Sequence, residues 1–473
     1  TWDEKHLAIY VNGRLGERKE IEGVRFPKFE KGKFNLVPIF HSGDGTFHDG
    51  KDRSLIDDFE IYSGPLSADR ILQRYIADVG GEIPPPMLTV PRASTAVTVD
   101  GREYPAGSLV ILRAQPYGRH VKDLFDVQVY PDGDAPYDVA GWTLPMLFGV
   151  RRVECVEVPT AELARVDAAR EIDALFGVAK KAARFMPSES DDWSALFASL
   201  AKGESATFDR STGAFLDGEK SGDGRVLIKK LPRVGVYAPW NGSMDEGWLR
   251  WVFEHAQLPF TSVRNEALRA GRLAQSFDVL VIPNVSGATL DDGRAAGSVF
   301  ADFAGGLAPE GAVAIEEFVR GGGTLVTLGG ASEWAAKLFE FPLVDVTKEK
   351  VKDVANEFAC PGSVLRAIPE DSLYAAGLPD SVAVFFDAAS AWRVEPKKDD
   401  KREFKTLLRF APTQLLLSGW IRSPATIEQQ SAWVRATHGD GTVHLFSFSP
   451  HFRSWSQQAF QLLYRAILLD GGR

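Results

Sequence analysis

The feature that most constrains this chain is the rhythm of residues 233–339. RVGVYAP, FDVLVIPNV and TLVTLGG are short, continuously apolar runs bounded by polar or glycine residues. Between and after them lie SMDEGWLRWVFEHA, EGAVAIEEFVRGGG and ASEWAAKLF, whose apolar residues recur at helical spacing. Apolar runs of strand length alternating with amphipathic helices predict a parallel sheet with crossover helices, because parallel strands are covered on both faces. The tail then turns β-rich (SVAVFFDA, TLLRFA, TQLLLSGW, GTVHLFSFSP) and ends in a helix, SWSQQAFQLLYRAILL.

The rest of the chain punctuates differently. In HLAIYVNGRL, Asn12-Gly13 sits between β-rich runs, a strong hairpin signal. FNLVPIF reads as a further strand, HSGDGTFHDGKD as a polar loop, and LIDDFEIYSGPLSADRI as an alternating strand, a Gly64-Pro65 turn and a short helix. EIPPPMLTVP (82–91) is a stiff, extended linker, since each proline fixes φ. AVTVDGREYPAGSLVI then carries a second hairpin around Asp100-Gly101. The expected organisation is multidomain α/β plus β: a partial β-sandwich over 1–80, a linker over 81–91, a small β-containing connector over 92–230 and an α/β domain over 231–473.

Composition narrows function by exclusion. A net charge of −10 argues against nucleic acid or an anionic membrane as partner, because phosphate binding needs a basic face. The lysines and arginines at 397–402 flank Asp399-Asp400 and read as a solvated loop. No apolar run approaches the ~20 residues of a membrane span. Cys155 and Cys360 are too few for a disulfide framework, and their pairing stays open. The first residues, TWDEKHLAIY, have neither initiator methionine nor signal peptide, and read as the interior of a longer precursor or as a processed product.

Two resemblances add to this reading. YVNGRL (10–15) and LIDDFEIYSGPLSADRI (55–71) resemble the closing part of a laminin-G-like, concanavalin-A-like sandwich. That likeness implies glycan or protein binding, with the remaining strands supplied from outside these residues, by a longer precursor or a partner chain. REYPAGSLVI (102–111), AQPYGRHVKDLFDVQVYPD (114–132), PYDVAGWTLPMLFGV (136–150) and RVGVYAPWNGSMDEGWLRWVFE (233–254) resemble the region following the catalytic domain of secreted zinc carboxypeptidase-like proteins. The α/β part resembles the glutamine-amidotransferase-like branch of flavodoxin-like folds. These likenesses imply an extracellular or periplasmic setting.

Candidate chemistry is sparse. None of the eight histidines begins the H-x-x-E pair that a carboxypeptidase zinc site needs. The His41, Asp44, His48, Asp49 cluster reads as a polar turn, so no metal and no cofactor is expected. GGG at 321–323 lacks the Gly-Lys-Ser/Thr of a phosphate loop. In amidotransferase-like folds the nucleophile sits on a sharp strand-to-helix turn. Here that turn reads TLVTLGGASEW, where Ser332 is the available hydroxyl, with a helix N-cap as its simpler role; His451 holds the late position where such folds can carry a histidine.

The remaining candidates lie in PWNGSMDEGW. Ser243 and Glu246 fit a capping box, Asp245 suits the first-turn dipole, and Met244, Trp248 and Val252 are spaced as one apolar face. Capping explains the carboxylates without catalysis. Trp240 and Asn241, just before it, occupy the strand edge where open α/β sheets host ligands. The expectation is a ligand surface of Trp240, Asn241, Ser243, Asp245, Glu246 and Trp248. The function expected is non-catalytic recognition of glycan or peptide. The alternatives are a hydrolase (a Ser332/His451 site, or a peptidase completed by a separate zinc domain) and a structural component of a larger assembly.

Overall fold

The computed structural model describes residues 6–11, 14–20, 92–99, 101–111, 113, 118–131, 133–155, 163–164, 184–220, 222–349, 357–387 and 389–472. The chain divides into two compact units, Thr1–Pro91 with Ala114–Gly118, and Arg92–Arg113 with Arg119–Arg473. In the first, His6–Val11 and Arg14–Glu20 pair antiparallel, with Val11 opposite Arg14, so the strands are joined by the two residues of the Asn-Gly signal. The other expectations for 1–91, including the sandwich strands, the His41–Asp49 loop and the proline linker, fall outside the described residues.

In the second unit, Val97–Val99 and Arg102–Tyr104 form the other expected hairpin. Gly101 takes φ +74°, the left-handed conformation that makes glycine useful in such a turn. A four-stranded antiparallel sheet follows, ordered Arg225–Ile228, Ala206–Asp209, Phe215–Asp217, Arg184–Phe185, with helix Ser190–Ala201 beside it. Phe197, Phe208 and Phe215 are fully buried and belong to the same apolar core as the large sheet. The boundary expected at 230/231 therefore falls inside one compact unit.

The large sheet contains β1 (Val234–Tyr237), β2 (Phe260–Val263), β3 (Val279–Ile282), β4 (Thr324–Leu328), β5 (Ser363–Pro369), β6 (Val382–Phe386), β7 (Phe404–Phe410), β8 (Ser431–His438) and β9 (Gly441–Phe446). Its order is β2-β1-β3-β4-β9-β8-β7-β5-β6. The first five strands are mutually parallel. With β9 as the fifth, they follow the 2-1-3-4-5 order of flavodoxin-like sheets. From β8 onward the pairing is antiparallel. The β-rich tail thus extends the same sheet, and β9 returns to its middle.

Alternate residues of the parallel strands enter two cores, which is why these runs are apolar throughout. Val234, Val236, Val279, Val281, Val326 and Leu328 face one side, covered by α1 (Met244–His255) and α4 (Gln457–Gly471). Leu280, Ile282, Leu325, Val443 and Leu445 face the other, covered by α2 (Ala308–Arg320) and α3 (Gly330–Leu338). Helix α4 is buried at every position from Ala459 to Leu469, as expected of a helix apolar nearly all round.

Candidate functional site at the carboxyl ends of the parallel strands

The loops leaving β1, β3, β4 and β9 meet at one edge of the sheet. After β1 the chain turns through Trp240 to Ser243, which caps α1: the Glu246 N–H donates to Ser243 Oγ at 3.1 Å. The reciprocal arm of the box is replaced, because the Glu246 carboxylate pairs instead with Arg250 Nε at 2.9 Å. Of the expected apolar face, Val252 is buried and Trp248 packs edge-on against Phe452 at 5.2 Å, whereas Met244 is 74% exposed. The inward face of α1 is Leu249, Val252 and Phe253.

Trp240 is not a free aromatic platform. Its indole N–H donates to Glu266 at 2.9 Å, the Arg264 guanidinium lies 4.3 Å from its ring centre, and Phe303 packs at 4.6 Å. Arg264 also donates to the carbonyls of Ala238 and Pro239. The loop is therefore pinned by its own neighbours, and Asn241 and Ser243 stand half-buried beside it.

Asp245 sits in the first turn of α1 and gathers residues from three other loops. Its Oδ1 accepts from the Ser449 hydroxyl at 2.8 Å, and the Asn284 amide also bonds its carboxylate. Burial, with the charge of Asp387 adding to it, pushes Asp245 up to about 6 against those two hydrogen bonds. Asp387 reaches solvent on one side, yet desolvation on the other raises it too; Arg453 opposes the shift and Asp138 reinforces it. His451 is fully buried, with Nε2 2.9 Å from the Asp245 carbonyl oxygen and 3.7 Å from Asp245 Oδ1. Burial lowers the imidazole to about 4, so it is neutral at pH 7, and its Nδ1 is buried without a hydrogen-bond partner.

The strand-to-helix elbow lies next to this cluster and corrects the reading of Ser332. The residue at the turn, and the N-cap of α3, is Gly329, at φ +54°, ψ −124°. A Cβ built there would meet Asn284 Oδ1 at 2.5 Å, so neither backbone nor space admits a side chain. Asn284 holds the turn by accepting from the Gly330 N–H at 2.8 Å. Ser332, one turn further on, is fully buried, and its hydroxyl donates to the Phe446 carbonyl at 2.8 Å. It ties the helix to the sheet, and the N-cap position expected of it belongs to Gly329.

The structure thus brings together Ser243, Asp245 and His451 from the predicted set, keeps Glu246 and Trp248 on the same helix with other partners, and places Ser332 in the core, bonded to the Phe446 carbonyl. Asn284, Gly329, Ser449 and Asp387 were missed. Each lies one to three residues beyond the end of its strand, in VIPNV, TLGG, LFSFS and VFFD, so reading on past every strand end would have found them. Cys155 is exposed and Cys360 buried. Among the described residues no group of three or more His, Cys, Asp or Glu is placed to hold a metal ion. Nor is any of their helices long and apolar enough to cross a membrane.

Fold and site together define a doubly wound α/β domain of flavodoxin-like strand order, with a polar cluster at the carboxyl ends of its parallel strands and a glycine at its elbow. Comparison with solved structures finds likenesses over half of the chain. A protein described as ThuA-like from Bacteroides uniformis is 11% identical over 50% of this chain and 90% of its own, at a TM-score of 0.29. A protein from Thermoplasma acidophilum, described as part of a GMP synthase, is 12% identical over 50% of this chain and 94% of its own, at 0.30. A beta-galactosidase from Bacillus circulans is 12% identical over 49% of this chain and 31% of its own, also at 0.30. No family model and no curated protein matches the chain.

Proposed function

We propose that this chain is a non-catalytic recognition and scaffold region, of the kind its sequence resemblance to the portion downstream of secreted zinc carboxypeptidase-like domains implies, working outside the cytoplasm on a peptide or glycan. One observation carries the non-catalytic part: Gly329 occupies the elbow where an amidotransferase-like site would present its nucleophile, in a space already filled by Asn284. A buried neutral histidine remains, but acyl transfer on this fold also needs a nucleophile within its reach. Asp245 and Asn284 instead spend their hydrogen bonds holding the loops to one another.

The test is turnover. The purified chain is offered p-nitrophenyl acetate and hippuryl-arginine, alongside His451→Gln and Ser332→Ala. The expected result is the same background rate for all three proteins. Hydrolysis by the parent chain that disappears in either variant overturns the reading.

A further inference from the structure

Some distance along the chain from the elbow, the connector forms a groove that none of the chemistry above uses. A cavity of about 440 Å³ is lined by Tyr130, Tyr137 and Trp142 together with Asp134 and Asp138, and two prolines and a valine complete it. We propose that this groove binds an extended, basic peptide segment, an arginine or lysine side chain lying against the aromatic faces and pairing with the two aspartates. This rests on the recognition reading given above and supplies its site and partner class.

Three features carry the assignment. First, the floor is built in advance. The Trp142 indole donates to the Asp123 carbonyl at 3.1 Å and its backbone N–H donates to Gln128 Oε1 at 2.9 Å. Next to it Thr143, fully buried, donates to the Asp126 carbonyl at 2.6 Å and lies 2.8 Å from Ser418 Oγ. Gly141 presses so closely on Ser418 that a Cβ would meet its carbonyl oxygen at 2.4 Å. Trp142 is therefore set on the large sheet, so little ordering of that ring has to accompany binding.

Second, Tyr137 is fully exposed. A large ring held wholly in water beside a second tyrosine and a tryptophan gives up apolar contact that folding would otherwise use, which marks an interaction surface. Third, every charged residue among the described lining is acidic. The negative field extends past the groove, since Asp138 acts on Asp387 and Asp387 on Asp245. Aromatic faces and carboxylates both attract cations. A groove walled by aromatic rings and prolines also suits an extended, proline-containing backbone. An acidic ligand would meet repulsion from both aspartates.

The experiment titrates the whole chain with a fluorescein-labelled peptide of alternating proline, arginine and lysine, at two salt concentrations. A counterpart with glutamate in place of the basic residues and a neutral chito-oligosaccharide are run beside it. Saturable binding of the basic peptide alone, weakened at high salt, is expected. Tyr137→Ala and Asp134→Asn change exposed side chains, so folding is preserved, which circular dichroism verifies. Each should weaken binding about two- to five-fold, and Asp134→Asn should also flatten the salt dependence. Absence of saturable binding, or binding indifferent to both substitutions, overturns the proposal. Oligosaccharide binding that Tyr137→Ala abolishes overturns it in favour of a glycan site. Hydrolysis in the turnover assay would overturn the non-catalytic reading while leaving this groove to be judged on its own titration.

Discussion

In the unit formed by Arg92–Arg113 and Arg119–Arg473, two buried histidines, His444 and His451, each meet a half-buried aspartate and use the same residue types to opposite ends. At the carboxyl ends of the parallel strands, His451 meets Asp245 with no lysine or arginine of the described residues bonded to the carboxylate, and Asp245 is pushed up to about 6. Elsewhere in the sheet, His444 Nε2 lies 2.8 Å from Asp470 Oδ2, Arg435 Nε donates to the same oxygen at 3.0 Å, and the Tyr374 hydroxyl donates at 2.6 Å. Asp470 is held far below the usual carboxylate range by these donors and charges, although burial works against them. The first pair is short of compensating charge, and the second is saturated with it. Satisfied networks fix a packing arrangement; under-compensated ones keep protonation equilibria near working pH.

The largest effect should come from breaking the saturated network. Asp470→Asn leaves the half-buried Arg435 without its carboxylate and cuts the tie between α4 and strands β8 and β9. Urea unfolding should show a loss of about 3–5 kcal/mol. A loss under 1 kcal/mol would mean that the cluster is not the clamp its geometry describes.

The next test separates the pairs by pH. His451 falls from its ordinary 6.5 to about 4 on folding. Its contribution to stability is therefore complete above 6.5 and is lost as pH falls through 4. Asp245 rises from 3.8 to about 6. Its contribution is complete below 3.8 and is lost as pH rises through 6. Each ramp amounts to about 3 kcal/mol, of opposite sign, so in the parent they largely cancel between pH 4 and 6.5. Asp245→Asn should therefore lose stability relative to the parent as pH falls from 6.5 to 4, and His451→Gln should gain it. Urea midpoints across that window check both slopes. Parallel slopes for the two variants would show that the two groups do not contribute ramps of opposite sign.

The sequence revealed the two regions unequally. Strands β1, β3 and β4 were legible because both faces of each are buried and nothing polar interrupts them. The Ser243 cap was legible because it is a local hydrogen bond across three residues. The fate of the antiparallel tail was not, since GTVHLFSFSP carries no mark that β9 will insert beside β4 rather than pair only with its hairpin neighbour. At the elbow the turn residue is Gly329, three before Ser332. Ser332 drew attention as a hydroxyl, whereas the turn depends on the residue without a side chain, Gly329, and on Asn284 some 45 positions earlier. Trp240 was placed correctly at the sheet edge, but its pinning by Arg264, Glu266 and Phe303 depends on chain segments that meet only in the fold. Long-range satisfaction of polar groups decides such sites, and periodicity carries no record of it.

The smallest test is the most selective. Ser243 accepts from the Glu246 N–H and so fixes the first turn of α1, the turn that presents Asp245 to Ser449, Asn284 and His451. Ser243→Ala should cost about 1 kcal/mol in urea unfolding, the usual value of an N-cap. It touches neither Asp470 nor Arg435. Hydrogen exchange should therefore quicken at the amino end of α1 and in the loop around Ser449, while the amides of β8 and β9 flanking the saturated network keep their protection. Equal loosening of both regions would erase the distinction between them, because it would mean that the carboxyl-end cluster is held by the global fold rather than by its own cap.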